Sequence, residues 1–210
     1  MALPEAPHIY VLAGVNGAGK SSIGGAAFRA FGADYYNPNE AARAVMVANP
    51  GLTQADANAA AWHQGKRLLE QAVARRLDFA FETTLGANTI PRLLSEAASR
   101  GIDVHVWYAG LTSPELHIER VARVRKGGHD IPEADIRRRY QHSRLNLIHL
   151  LPQLTALRVY DNSAEADPAA GQAPAPGLVL HLDHGKIMGP TDLSKTPQWA
   201  KPIVAAALKL

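Results

Sequence analysis

The stretch Gly14-Val15-Asn16-Gly17-Ala18-Gly19-Lys20-Ser21 sets three glycines, a lysine and a hydroxyl at the spacing G-x-x-x-x-G-K-[ST]. Glycine adopts backbone angles that other residues avoid, so such a run lets successive N–H groups turn inward around an anion. A helix starting near Lys20 would aim the positive end of its dipole at the same point. In this pattern the lysine reaches the β and γ oxygens of a nucleoside triphosphate and the hydroxyl ligates Mg²⁺. The spacing therefore predicts ATP and Mg²⁺ as cofactors. The candidate nucleotide-binding set is Gly14, Asn16, Gly17, Ala18, Gly19, Lys20, Ser21 and Ser22, with Ser21 as the metal ligand.

Phosphoryl transfer needs neutralised charge and an oriented acceptor more than covalent chemistry, so arginines and a carboxylate should complete the site. Arg120, Arg123, Arg125 and Lys126 precede Gly127-Gly128, and Arg137, Arg138 and Arg139 follow. Guanidiniums hinged on glycines suit a lid closing over a γ-phosphate, although a solvated basic helix face has the same composition. Phe79-Ala80-Phe81-Glu82-Thr83-Thr84 puts one carboxylate and two hydroxyls at the end of a strand-like run. In open parallel sheets that end is where ligands bind.

Elements that would position these groups are visible as short apolar runs alternating with helical patterns. Strands are expected at 8–13, 34–37, 78–81, 102–108 and 156–160. Helices are expected at 20–31, 40–48, 53–76, 90–100, 114–125 and 133–151. This alternation predicts an α/β fold with a mostly parallel sheet covered on both faces. After a linker-like stretch at 164–177, a hairpin at 178–188 and a final helix at 198–208 follow. Residues 1–163 read as the core, with a lid at about 120–140, and residues 164–210 as a decoration packed on the same domain.

Composition sets outer bounds. The 210 residues are 47% hydrophobic and 20% charged, an ordinary globular balance. A net charge of +3 is too weak to argue for nucleic acid. With no cysteine, no secretory pattern at the N-terminus and no apolar run long enough for a membrane span, a cytoplasmic location without membrane contact is expected. His181-Leu182-Asp183-His184 has metal-ligand residue types, but strand alternation would send neighbours to opposite faces.

Taken together, GVNGAGKS, FETTLG, RVARVRKGGHDIPEADIRRRY and YDNS resemble the zeta-toxin family, P-loop kinases related to predicted UDP-N-acetylglucosamine kinases. The similarity runs from about residue 8 to 163, and Pro197-Gln198-Trp199-Ala200 also fits relatives. The resemblance implies a three-layer P-loop kinase fold that moves the ATP γ-phosphate to a hydroxyl of a nucleotide sugar, with a cognate antitoxin as a protein partner. Glu82, Thr83 and Thr84 would hold the acceptor, and Arg123, Arg125, Arg138 and Arg139 would stabilise the transferred group beside Lys20.

Two departures stand out. Relatives built around E-x-T-L-R carry arginine where this chain has Gly86, and relatives with Asn-x-Asp-Glu carry the proposed general base where this chain has Asn39. An amide takes up no proton, and a general base is typically worth about 10²–10⁴ in rate. An attenuated kinase, an inactive ATP-binding module, a kinase using Asp34 or Glu82 as base, and a P-loop kinase for another small molecule or a nucleic-acid end all stay open.

Overall fold

In the computed structural model the described residues are 6–20, 23–24, 35–124, 131–164 and 175–210. The strands are β1 (His8–Ala13), β2 (Tyr35–Tyr36), β3 (Phe79–Thr83), β4 (Asp103–Gly110), β5 (Ala156–Asp161), β6 (Gly177–Asp183) and β7 (Lys186–Gly189). They form a seven-stranded sheet in the order β2-β3-β1-β4-β5-β6-β7. Neighbours from β2 through β5 pair in parallel, while β6 and β7 join antiparallel. The α/β reading with a mostly parallel sheet holds.

Five described α-helices lie between these strands, α1 (Pro38–Ala48), α2 (Gln54–Arg75), α3 (Thr89–Ser99), α4 (Pro114–Val124) and α5 (Glu133–Leu150), and α6 (Lys201–Ala207) follows the last strand. One sheet face sends Ile9, Val11, Phe81, Val104 and Val106 into a buried core shared with Leu69 of α2, Leu94 of α3, Leu147 of α5 and Ile203 of α6. The opposite face carries a smaller cluster of Leu12 and Ala80 with Tyr10, Tyr35 and Trp107 against it. α1 and α2 meet through Ala42, Ala57 and Ala61, small residues that let two helices approach closely.

Several element ends differ from the sequence expectation, and two of the differences shape the site. α1 starts at Pro38 because the Asn37 side chain accepts the Asn39 and Glu40 N–H groups, with proline preset for the first turn. β3 runs to Thr83 instead of Phe81, so Glu82 and Thr83 are strand residues of fixed direction. The last helix is shorter than expected, beginning at Lys201 behind a 3-10 turn at Leu193–Lys195. Between β6 and β7 the chain turns at His184 (φ 45°) and Gly185 (φ 73°), the pair of positive φ angles that matches strand twist in a two-residue hairpin. None of the described helices is long and apolar enough to cross a membrane.

Candidate functional site

Parallel pairing carries the ends of β1, β3, β4 and β5 to one edge of the sheet, where the loop after β1 is pinned from three directions. Gly14 N–H donates to the Thr83 carbonyl at 3.2 Å. Asn162, just beyond β5 and 5% exposed, donates from Nδ2 to the Ala18 carbonyl at 2.9 Å. His117 of α4, 1% exposed, meets the Asn16 carbonyl at 2.8 Å through Nδ1. A carbonyl only accepts, so Nδ1 carries the proton of a neutral imidazole. Burial drives this state, pushing the His117 pKa down to about 4 against the upward pull of the Asn16 bond.

Two loop glycines are required by geometry. Gly14 has φ 143°, and a Cβ there would lie 2.4 Å from the Ala109 carbonyl oxygen. Gly19 has φ 76°, and its Cβ would lie 2.2 Å from Asn162 Nδ2. The half-buried Lys20 donates from Nζ to the Gly14 carbonyl at 2.9 Å, spanning the mouth of the loop. Desolvation lowers its pKa, the Glu82 carboxylate opposes that shift, and Arg139 adds to it. A glycine-bearing loop with one lysine across it is what the G-x-x-x-x-G-K-[ST] spacing predicts for a triphosphate.

Beside the loop opens a cleft of about 790 Å³, walled by Pro38 and Asn39 of α1, one face of α2, the β3 end and the start of α5. That volume falls in the range of small-molecule sites. Glu82, Thr83 and Thr84 all line it. Glu82 is 5% exposed and accepts from Tyr35 Oη at 2.7 Å. The threonine hydroxyls receive the N–H groups of Leu85 (3.1 Å) and Gly86 (3.3 Å). Leu85 itself sits at φ 51°, a left-handed conformation uncommon outside glycine, and Asn146 of α5 steadies it by donating to its carbonyl at 2.7 Å.

The arginines separate. Arg139 enters the cleft, donates to Asn16 Oδ1 of the loop at 2.9 Å, and lies 3.9 Å from Asp135. Its stem crosses Gly86 so closely that a Cβ on Gly86 would come within 2.6 Å of Arg139 Cγ. Arg138 is 60% exposed and pairs with Asp135 at 2.8 Å, and Arg123, 55% exposed, pairs with Glu119. Neither lines the cleft. Arg137 pairs with Glu115 at 2.5 Å. Ser21, Ser22, Arg125 and Asp34 lie outside the described residues.

Asn39 is exposed on the cleft wall, in the first turn of α1. Glu40 is not part of that wall, while Glu82 and Asp135 bring carboxylates to it. Sequence reasoning missed four further residues: Asn162 and His117, which brace the loop, Trp62, 41% exposed on the α2 wall, and Asp135. YDNS contained Asn162 without revealing its contact. Trp62 shares its helix face with Asn58 and Lys66 at spacings of four, a polar and aromatic stripe inside an alanine-rich helix.

The zeta toxin family matches residues 2–167. This chain belongs to the zeta toxin family. An uncharacterized protein of Haemophilus influenzae is 32% identical over 132 residues, which cover 60% of this chain and 88% of that one. Among solved structures, the AvrRxo1-ORF1:-ORF2 structure with ATP aligns with TM-score 0.67 at 13% identity, over 97% of this chain and 64% of the other, so this zeta toxin relative spans less than two thirds of its length. The PezAT chromosomal toxin-antitoxin structure of Streptococcus pneumoniae aligns with TM-score 0.55 at 14% identity, over 83% of this chain and 76% of the other. Family membership rests on the sequence match, and the structural likenesses show a shared α/β fold.

Proposed function

We propose that this zeta-toxin relative transfers the γ-phosphoryl group of MgATP to a hydroxyl of a nucleotide sugar, slowly, because an amide stands where a general base is expected. One observation carries the reading. Arg139 bonds Asn16 of the loop and at the same time lines the neighbouring cleft, which supports a role for one guanidinium towards both donor and acceptor. Charge stabilisation at that junction is the largest part of what such an enzyme must supply.

In this reading the loop amides and Lys20 hold the triphosphate, with Ser21 as the Mg²⁺ ligand. Mg²⁺ held there would supply charge neutralisation to the triphosphate. Glu82 and Thr84 orient the acceptor, and Trp62 offers an exposed aromatic face to a flat group such as a nucleobase. Residues 120–140 act as the lid, and a cognate antitoxin is the proposed protein partner. Gly86 has no room for an arginine while the Arg139 stem lies over it, so Arg139 takes over the anion contact on that wall.

Incubation with MgATP and a panel of nucleotide sugars tests this, read by mass spectrometry of the products. A nucleotide sugar heavier by one phosphoryl group supports it, and Trp62→Ala should raise KM about tenfold with kcat retained. ATP binding without transfer to any panel member overturns the substrate class. The amide at position 39 favours a second reading, an ATP-binding module without turnover, and that same result would select it.

A further inference from the structure

At the sheet edge opposite the phosphate loop, a second group of side chains converges. His8 opens β1, and the parallel register sets it beside Asp103 and sets Tyr10 beside His105 on β4. Alternation along the strands therefore projects His8, Asp103 and His105 from one face. Their ligand atoms all lie within 4.8 Å of one another, and His8 Nε2 is 3.8 Å from Asp103 Oδ2.

The His105 Nε2 atom is buried with no hydrogen-bond partner among the described residues. A buried polar atom without a partner is destabilising, so it calls for something to meet it. The other two ligands are held from behind. The His8 backbone N–H donates to Asp78 Oδ1 at 2.7 Å, and its ring Nδ1 stands 3.6 Å from the same oxygen. Asp103 Oδ1 accepts from Thr155 Oγ1 at 3.1 Å, which leaves Oδ2 facing His8. Metal-ligating imidazoles usually donate their far N–H to a carboxylate, and Asp78 stands within a small side-chain shift of that contact with His8.

We propose that His8, Asp103 and His105 bind a divalent transition cation of the zinc class, which ties β1 to β4 at the end of the sheet remote from the phosphate loop. Two imidazoles and one carboxylate suit zinc and its neighbours, whereas Mg²⁺ prefers an octahedron of oxygens. Zinc–ligand distances of about 2.0–2.1 Å put tetrahedral ligand atoms roughly 3.3 Å apart, so closing the site requires side-chain movements of about 1 Å or less. All three residues are half-buried, which leaves a fourth position open to water. The site is independent of the phosphotransfer reading, and from the His181–His184 stretch Asp183 adds a negative charge felt by His105.

The test is zinc titration of tag-free, chelator-treated protein by calorimetry, with cobalt substitution followed by visible absorption. One equivalent should bind at micromolar zinc in the presence of excess Mg²⁺, with the absorption bands of four-coordinate cobalt and a raised melting midpoint. His8→Ala and His105→Gln should each abolish all three signals, and Asp78→Asn should weaken zinc affinity by about 10–100-fold. His142→Ala on α5 serves as the histidine control and should change nothing. Circular dichroism of each variant separates lost binding from lost folding, and Asp103→Asn provides a further variant if His105→Gln does not fold. A folded protein that binds no zinc, or binding that survives both histidine substitutions, overturns the proposal.

Discussion

The two sides of the candidate site are built from different materials. The phosphate side is main chain: amides and carbonyls of residues 14–19, with glycine angles that the surrounding packing demands, locked by Asn162 and His117. The acceptor side is side chain: Asn39 from α1, Trp62 and Lys66 from α2, Glu82 and Thr84 from β3, and Arg139 from α5. In the proposed reading a surface of main chain recognises whatever carries a triphosphate and tolerates little change. A surface of side chains is free to change its substrate, and even its rate, one residue at a time.

Variants that strike one side should therefore leave the other intact. Asn39→Asp carries the largest expected effect. It restores a carboxylate on the acceptor wall and should raise kcat by about 10²–10⁴ with ATP affinity unchanged, as measured by steady-state kinetics and nucleotide titration. No gain would move the base to Glu82 or Asp135, the carboxylates that line the cleft. Lys20→Ala acts on the phosphate side and should lower kcat by about 10²–10³, weakening ATP in calorimetry while binding of the acceptor alone persists.

Arg139 belongs to both sides, so Arg139→Ala should damage transfer by about 10²-fold, whereas Arg138→Ala, exposed and paired with Asp135, should change it less than twofold. Equal losses would mean that the different placement of the two arginines does not govern their roles.

The smallest effect concerns the bracing of the loop. His117 is neutral when folded and takes up a proton only near pH 4, against an ordinary value of 6.5. The unfolded chain therefore binds more protons between those values, and stability falls as pH drops from 6.5 toward 4. The full shift is worth about 3 kcal/mol. Denaturant melts of His117→Gln should show a flatter dependence over that window, and an unchanged slope would shift the acid sensitivity to other groups.

The same division explains what could be read in advance. The phosphate loop was legible because its chemistry is local, with glycines, lysine and serine lying within eight neighbouring positions. The mostly parallel pairing was implied by alternation, since parallel strands need a crossover connection between them. The cleft was less legible because its walls come from four separate segments. Arg138 and Arg139 are adjacent in sequence, yet a turn of about 100° per residue in α5 sends one to solvent and the other across Gly86. His117 gave no signal at all: its role rests on a hydrogen bond to a residue 101 positions away. The start of α1 was placed two residues late because Asn37 read as the end of a strand, although Asn-Pro is also a cap followed by a first turn.

The outer strands of the sheet have a bearing on how the protein meets others. Among the described residues, one margin is β2, two residues long, and the other is β7, four residues long and followed by Pro190. Margins that short offer few unpaired main-chain groups to template another chain. Fibril-like stacking of copies is thereby discouraged. A protein companion would gain little by lending a strand, and would find its footholds on the helices and on the loops at the carboxyl edge instead.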